Sequence, residues 1–126
     1  MRITLTNDLL FETGKADLKA GALKILNGVA SVIHQTNYMV NVVGHADNVP
    51  IRTEKFPTNW ELSAVRACIV ARYLIESQGV KGERFFVSGH SYYQPLSPNT
   101  SIKDRAENRR VEIIITKDRP EGFQTR

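Results

Sequence analysis

Apolar residues recur along this chain with two different periods, and the changes of period mark out its elements. Arg2 to Leu5, "RITL", reads as an extended segment that continues irregularly to Phe11 before the turn "ETGKAD". Leu18, Ala22, Ile25, Leu26, Val29 and Ile33 fall at helical spacing, so a helix is predicted from Lys19 to Gln35. Tyr38 to Gly44 is a β-rich run with apolar residues on both faces, which predicts an interior strand. A loop from Asp47 to Pro57 leads to Thr58-Asn59-Trp60-Glu61, which has the spacing of a capping box. The Thr58 hydroxyl can accept from the amide three residues on, and Glu61 can reach back. The second helix runs to Gln78, with Gly79 as its natural stop. Arg84 to Ser88 is a third strand, and "GHSYYQPLSPNT" is a Pro/Ser/Asn loop. Ser101 with Asp104 predicts a short capped helix through Asn108, and "RRVEIIIT" is the last strand.

The order is therefore β-α-β-α-β-(short α)-β, an α+β fold. Two long helices are expected on one face of a mixed sheet, with the other face partly exposed. Residues 1–116 form one domain in this reading, and 117–126 form a polar C-terminal tail.

Composition narrows the class. A chain of 126 residues, 41% apolar and 24% charged, can bury a hydrophobic core without metal or disulfide staples. No window approaches the ~18 apolar residues of a membrane span, and no basic segment followed by an apolar one opens the chain as a signal peptide would. The single cysteine, Cys68, excludes an internal disulfide and reads as a small, buried apolar helix residue. A net charge of +4 favours anionic partners without choosing among them.

Two places carry candidate chemistry. The interior strand ends in Gly44-His45-Ala46-Asp47-Asn48, an imidazole, a carboxylate and an amide at one edge. In the second helix, Leu62, Val65, Ile69 and Tyr73 make an apolar stripe, while Asn59, Ser63 and Arg66 share a different face near the N-terminus. An arginine there is electrostatically misplaced, because a helix start already carries positive partial charge. Arg66 is then either a solvated side chain or one half of an anion site. The loop from Asp47 returns the chain to Asn59, so Asp47 and Arg66 can flank one cleft. They could pair with each other, or clamp a zwitterion with Asp47 on the ammonium and Arg66 on the carboxylate. His45 and His90 each follow a glycine at a strand end, and with Asp47 they are a weak candidate metal set. No nucleophile elbow is present, and "RAENRR" interleaves glutamates without the aromatic pattern of a nucleic-acid binder, so no nucleic-acid partner is expected.

The longer pattern "VVGHADNVPI", "FPTNWELSAVRA", "GHSYYQP" and "RAENRRVEIII" resembles the OmpA-like peptidoglycan-binding domain over Phe11 to Ile115. Within that family it is similar to the periplasmic domains of flagellar stator subunits of the MotB type. The resemblance implies a mixed four-stranded sheet and a non-enzymatic domain, without cofactor or metal, that grips the diaminopimelate stem peptide of peptidoglycan. By the family's motifs, Asp47 and Arg66 form the clamp on diaminopimelate, and Asn59, Arg109 and Arg110 border the same groove. The alternative within the same fold is an envelope tether unrelated to motility. The resemblance further implies a homodimer in the periplasm, tethered to the inner membrane and joined to a MotA-type partner through a membrane segment absent from this chain. This sequence departs from the family pattern in two places: Ala46 replaces the threonine before the aspartate, and Ser91 replaces the second glycine after the third strand.

Overall fold

In the computed structural model, residues 1–12 and 14–117 are described; the tail beyond Lys117 lies outside them. The elements run β1 (Arg2–Thr6), α1 (Asn7–Leu10), α2 (Ala20–His34), β2 (Met39–His45), α3 (Asn59–Arg72), β3 (Phe85–Gly89), α4 (Ile102–Asn108) and β4 (Arg110–Thr116). The four strands form one sheet in the order β1-β4-β2-β3. β4 pairs antiparallel with both β1 and β2, while β2 pairs parallel with β3, so the sheet is mixed as expected and β2 is interior.

Strand alternation divides the chemistry between the two sheet faces. Val40 and Val42 of β2 stand beside Ile115 and Ile113 of β4, and Leu5 of β1 stands beside Val111. These residues meet Ala22, Leu26, Val29, Ala30 and Ile33 of α2 in one core with Val70, Ala71 and Leu74. The α2 set recurs every three or four residues, which is why this stretch is helical and which side it buries. The opposite face carries exposed Thr4, half-buried Asn41 and Ile114, and a buried polar group described below.

The N-terminus of α3 has the expected capping box, with Thr58 and Glu61 bonding reciprocally. The helix ends in a π-helical turn, Tyr73–Ser77, and Gly79 follows at φ +73°, a left-handed position that glycine occupies without a Cβ clash. Three local expectations change. The stretch after β1 is not irregular but a single turn, α1, whose Phe11 bridges to Leu18. Cys68 is exposed rather than buried. The stripe read for α3 also shifts: Ser63, Arg66, Ala67, Val70 and Ala71 are buried, while Val65 and Ile69 are half-buried beside the small Phe56–Leu62 cluster.

The reason is the distance at which α3 meets the sheet. Gly44 and Gly89 are register partners on adjacent strands. A Cβ on Gly44 would overlap the Ser63 carbonyl, and one on Gly89 would lie 2.5 Å from the Ala64 amide nitrogen. Small residues on α3 and bare backbone below bring the helix almost onto the strands, so the side chains that flank this contact are buried whatever their polarity. Gly44→Ala and Gly89→Ala are each expected to destabilise the domain by about 3 kcal/mol or more, because the obstacle is backbone and cannot swing away. Urea unfolding of the two variants checks this; Gly28→Ala, where an added Cβ meets open space, serves as the control.

Candidate functional site

The site lies where β2, α3, α1 and the start of β4 converge. β2 ends at His45, and the next residues leave the sheet: Ala46 donates its amide to the Ser91 carbonyl, and His90 donates to the Gly44 carbonyl. Asp47 follows, nearly buried, and its Oδ1 accepts the Val49 amide at 3.0 Å, an Asx turn that fixes the carboxylate. Asn59, the first residue of α3, donates from Nδ2 to the Val49 carbonyl at 3.0 Å and to the Asp47 carbonyl at 3.4 Å. Asn59 thus holds the backbone of the Asp47 turn against the helix start. One turn further along the same face, Ser63 accepts the Ser91 amide at 3.1 Å. Ser91 has φ +55°. Ser91 thus holds a left-handed backbone, which costs a residue with a Cβ about 1–2 kcal/mol.

Arg66 enters the same cavity from α3. It is 5% exposed. Its Nε donates to the Lys15 carbonyl at 2.9 Å and its Nη2 to the Glu12 carbonyl at 3.4 Å, with the guanidinium 5.2 Å from the Phe11 ring centroid. Among the described residues no carboxylate lies within salt-bridge distance of it. Burial, and then the positive charge of Arg109, pulls its pKa down to about 10, against the opposing pull of Asp8 and Asp47. It stays cationic at neutral pH, desolvated and without an ionic partner.

Arg109, at the C-terminal cap of α4, completes the wall. Its Nη1 donates to Asp47 Oδ2 at 2.6 Å and its Nη2 to Asp8 Oδ2 at 3.2 Å. Its burial would lower its pKa, but the hydrogen bonds to Asp47 and Asp8 outweigh that and raise it. Asp47, Arg66, Asn59 and Arg109 all line one cavity of about 360 Å³, together with Asp8 and the apolar residues Phe11, Ile51 and Leu62. Two guanidiniums and two carboxylates give a balanced rim that suits a ligand carrying both charges.

Arg110 does not border this cavity, and that expectation is corrected. Successive residues of an extended chain leave on opposite sides, so Arg109 and Arg110 cannot share a groove. Arg110 lies on the far face of the sheet, buried, with Nε to Glu112 at 2.8 Å, Nη1 to the Asn108 carbonyl at 3.1 Å and Nη2 to the Gln94 carbonyl at 2.9 Å. His45 is part of that far-side group. It stacks on His90 at 5.4 Å, and its Nε2 sits 3.6 Å from Glu112. The two histidines are neighbours, but Asp47 turns to Arg109 instead of joining them, and the described residues hold no group of three metal-ligand side chains.

Asp8 is the site residue that the sequence did not suggest. It lies 101 positions from the arginine it meets, and no local pattern links "TND" to that partner.

With this geometry in hand, comparison with known proteins gives the class. Residues 10–109 match the model of the OmpA family, and the chain belongs to that family. Motility protein B of Bacillus subtilis is 31% identical over 115 residues, covering 90% of this chain and 44% of that protein. The cell wall anchor of the T6SS from Pseudomonas aeruginosa superposes with a TM-score of 0.87 at 37% identity, over 93% of this chain and 81% of that one. The periplasmic domain of Helicobacter pylori MotB superposes with a TM-score of 0.85 at 28% identity, over 95% of this chain and 78% of that one. The chain spans about half the length of the curated relatives it matches, 44–48% for three of them. No helix among the described residues is long and apolar enough to cross a membrane.

The far-side group makes an acid-sensitive element. Burial, then Arg110, lowers the His45 pKa from 6.5 to about 4, so His45 is neutral in the folded state. The unfolded chain takes up a proton near pH 6.5 that the folded chain refuses until about pH 4. Stability should therefore fall on acidification through that window, by up to about 1.4 kcal/mol per pH unit. Glu112 adds to the loss at the lower end: burial would raise its pKa, but Arg110 holds it below the usual carboxylate range. His45→Asn should flatten the dependence between pH 6.5 and 4. Urea midpoints at four pH values test this, and an unchanged slope would refute it.

Proposed function

We propose that this domain grips the stem peptide of peptidoglycan by the zwitterionic end of diaminopimelate and does not cleave it. The observation that carries the reading is Arg66: a buried guanidinium with no carboxylate partner among the described residues, opening on a cavity with a positioned carboxylate across it. An isolated buried charge is unfavourable, and an incoming carboxylate relieves it with charge-assisted bonds to the planar fork. Asp47 can receive the ammonium without surrendering Arg109. Its two oxygens offer about four acceptor positions, of which the Val49 amide and Arg109 occupy two. Arg109 and Asp8 keep the Asp47 carboxylate aimed, and Asn59 fixes its backbone. That relatives include a peptidoglycan-binding protein, ArfA of Mycobacterium tuberculosis, supports the same ligand.

In the full-length protein we place this domain in the periplasm, tethered to the inner membrane, as the wall anchor of a flagellar stator working as a homodimer with a MotA-type partner. The likeness to Motility protein B supports this reading. One clamp binds weakly, and two linked domains gain retention through effective concentration without new contacts. A second reading, an envelope tether unrelated to motility, is favoured by the 37% identity to the T6SS anchor, against 28% to the MotB domain. A chimera carrying this domain behind the membrane segment of Motility protein B separates the two, since only the stator reading expects restored swimming.

The site itself is tested by sedimentation with diaminopimelate-type sacculi. Asp47→Asn and Arg66→Lys each remove one charge-assisted contact of about 1.5–3 kcal/mol, so retention should fall roughly 10- to 100-fold. Arg66→Lys keeps the charge and loses the fork, which avoids an empty space in a buried position. Wild-type protein should release no soluble muropeptides. Folded variants that pellet like the wild type would remove the clamp, and steady fragment release would remove the non-catalytic reading.

A further inference from the structure

Beside the groove the surface carries three aromatic rings that the clamp does not use. Trp60 stacks on Tyr93 with centroids 5.3 Å apart, and Tyr93 stacks on Tyr92 at 4.4 Å. The Tyr93 hydroxyl donates to that of Tyr92 at 3.3 Å. The stack joins the loop to α3, and its rings remain 48%, 58% and 37% exposed. Exposed apolar surface concentrated in one place marks an interaction site. The rings line a second cavity of about 320 Å³ with Asn48 and Thr58, and it shares Pro50, Ile51 and Asn59 with the first.

We infer that this stack is a glycan subsite that receives the pyranose rings of the wall strand whose stem peptide the groove holds. The inference rests on the reading of the groove given above. A pyranose chair presents axial C–H groups on its faces, and their slight positive charge suits the negative face of an indole or phenol ring. Asn48, exposed at the edge of the cavity, supplies an amide donor and acceptor for hydroxyl or acetamido groups. Reach supports the placement. Diaminopimelate is the third residue of the stem, and an extended chain spans about 3.5 Å per residue. A stem held in the groove therefore keeps its sugar within roughly 10 Å, and the adjoining cavity shares three lining residues with the groove. Because the rings already stack on one another, they give up little rotamer freedom on binding.

The chain's single tryptophan makes the test direct. Wild-type, Trp60→Ala and Tyr93→Ala proteins are compared with three probes: the β-1,4-linked N-acetylglucosamine tetramer, an isolated diaminopimelate stem peptide, and intact sacculi. The tetramer should shift the Trp60 emission of the wild type, and Tyr93→Ala should weaken that response roughly fivefold. Both variants should bind the stem peptide as the wild type does but be retained less on sacculi. The inference is overturned if the tetramer leaves the emission unchanged, or if both variants match the wild type on sacculi. Failure of the wild type to bind the stem peptide sinks the groove reading instead, and the emission response still judges the platform by itself.

Discussion

The contact of α3 with the bare backbone of Gly44 and Gly89 is the constraint on which the rest of this structure depends. Those two glycines stand side by side on parallel strands, and Ser63 and Ala64 sit directly on them. Everything at that end of the sheet inherits its position from this contact. Ser63 is close enough to hold Ser91, Ser91 receives the Ala46 amide, and Ala46 hands the chain on to Asp47. On the other side, the same seating carries Arg66 beneath the Glu12–Lys15 turn, where two carbonyls and the Phe11 ring meet it.

The two arginines of the groove have opposite electrostatic situations, and the difference gives them different work. Arg109 lies between two carboxylates, so it behaves as a strut that orients Asp47. Arg66 has neutral acceptors and an aromatic face but no counter-ion among the described residues. The far face of the sheet shows the contrasting solution: Arg110 and Glu112 satisfy each other, with His45 held neutral beside them. Buried charge occurs on both faces, and among the described residues Arg66 on the groove side has no counter-ion.

Much of the framework was legible from local rules. The capping box at Thr58, the left-handed stop at Gly79, the Ser101 cap and the helical spacing of α2 all follow from interactions within a few residues. The single turn at α1 escaped because four residues carry too little periodicity to read. The α3 stripe misled for a different reason. Val65 and Ile69 are the apolar residues, but close seating on glycine rewards small side chains, so Ser63 and Ala67 take the innermost positions.

The sequence by itself determined the elements and their order, and its resemblance to a family grouped Asp47, Asn59, Arg66 and Arg109 in one groove, along with Arg110. These depend on periodicity, caps and motif spacing, which act along the chain. Only the tertiary structure decided the pairing within the cluster. It gave Asp47 to Arg109 instead of Arg66, brought Asp8 in from the other end of the chain, and sent Arg110 through to the far face. A charge chooses its partner by distance in space and by how far burial has stripped its water, and neither quantity is written in the spacing of residues along a chain.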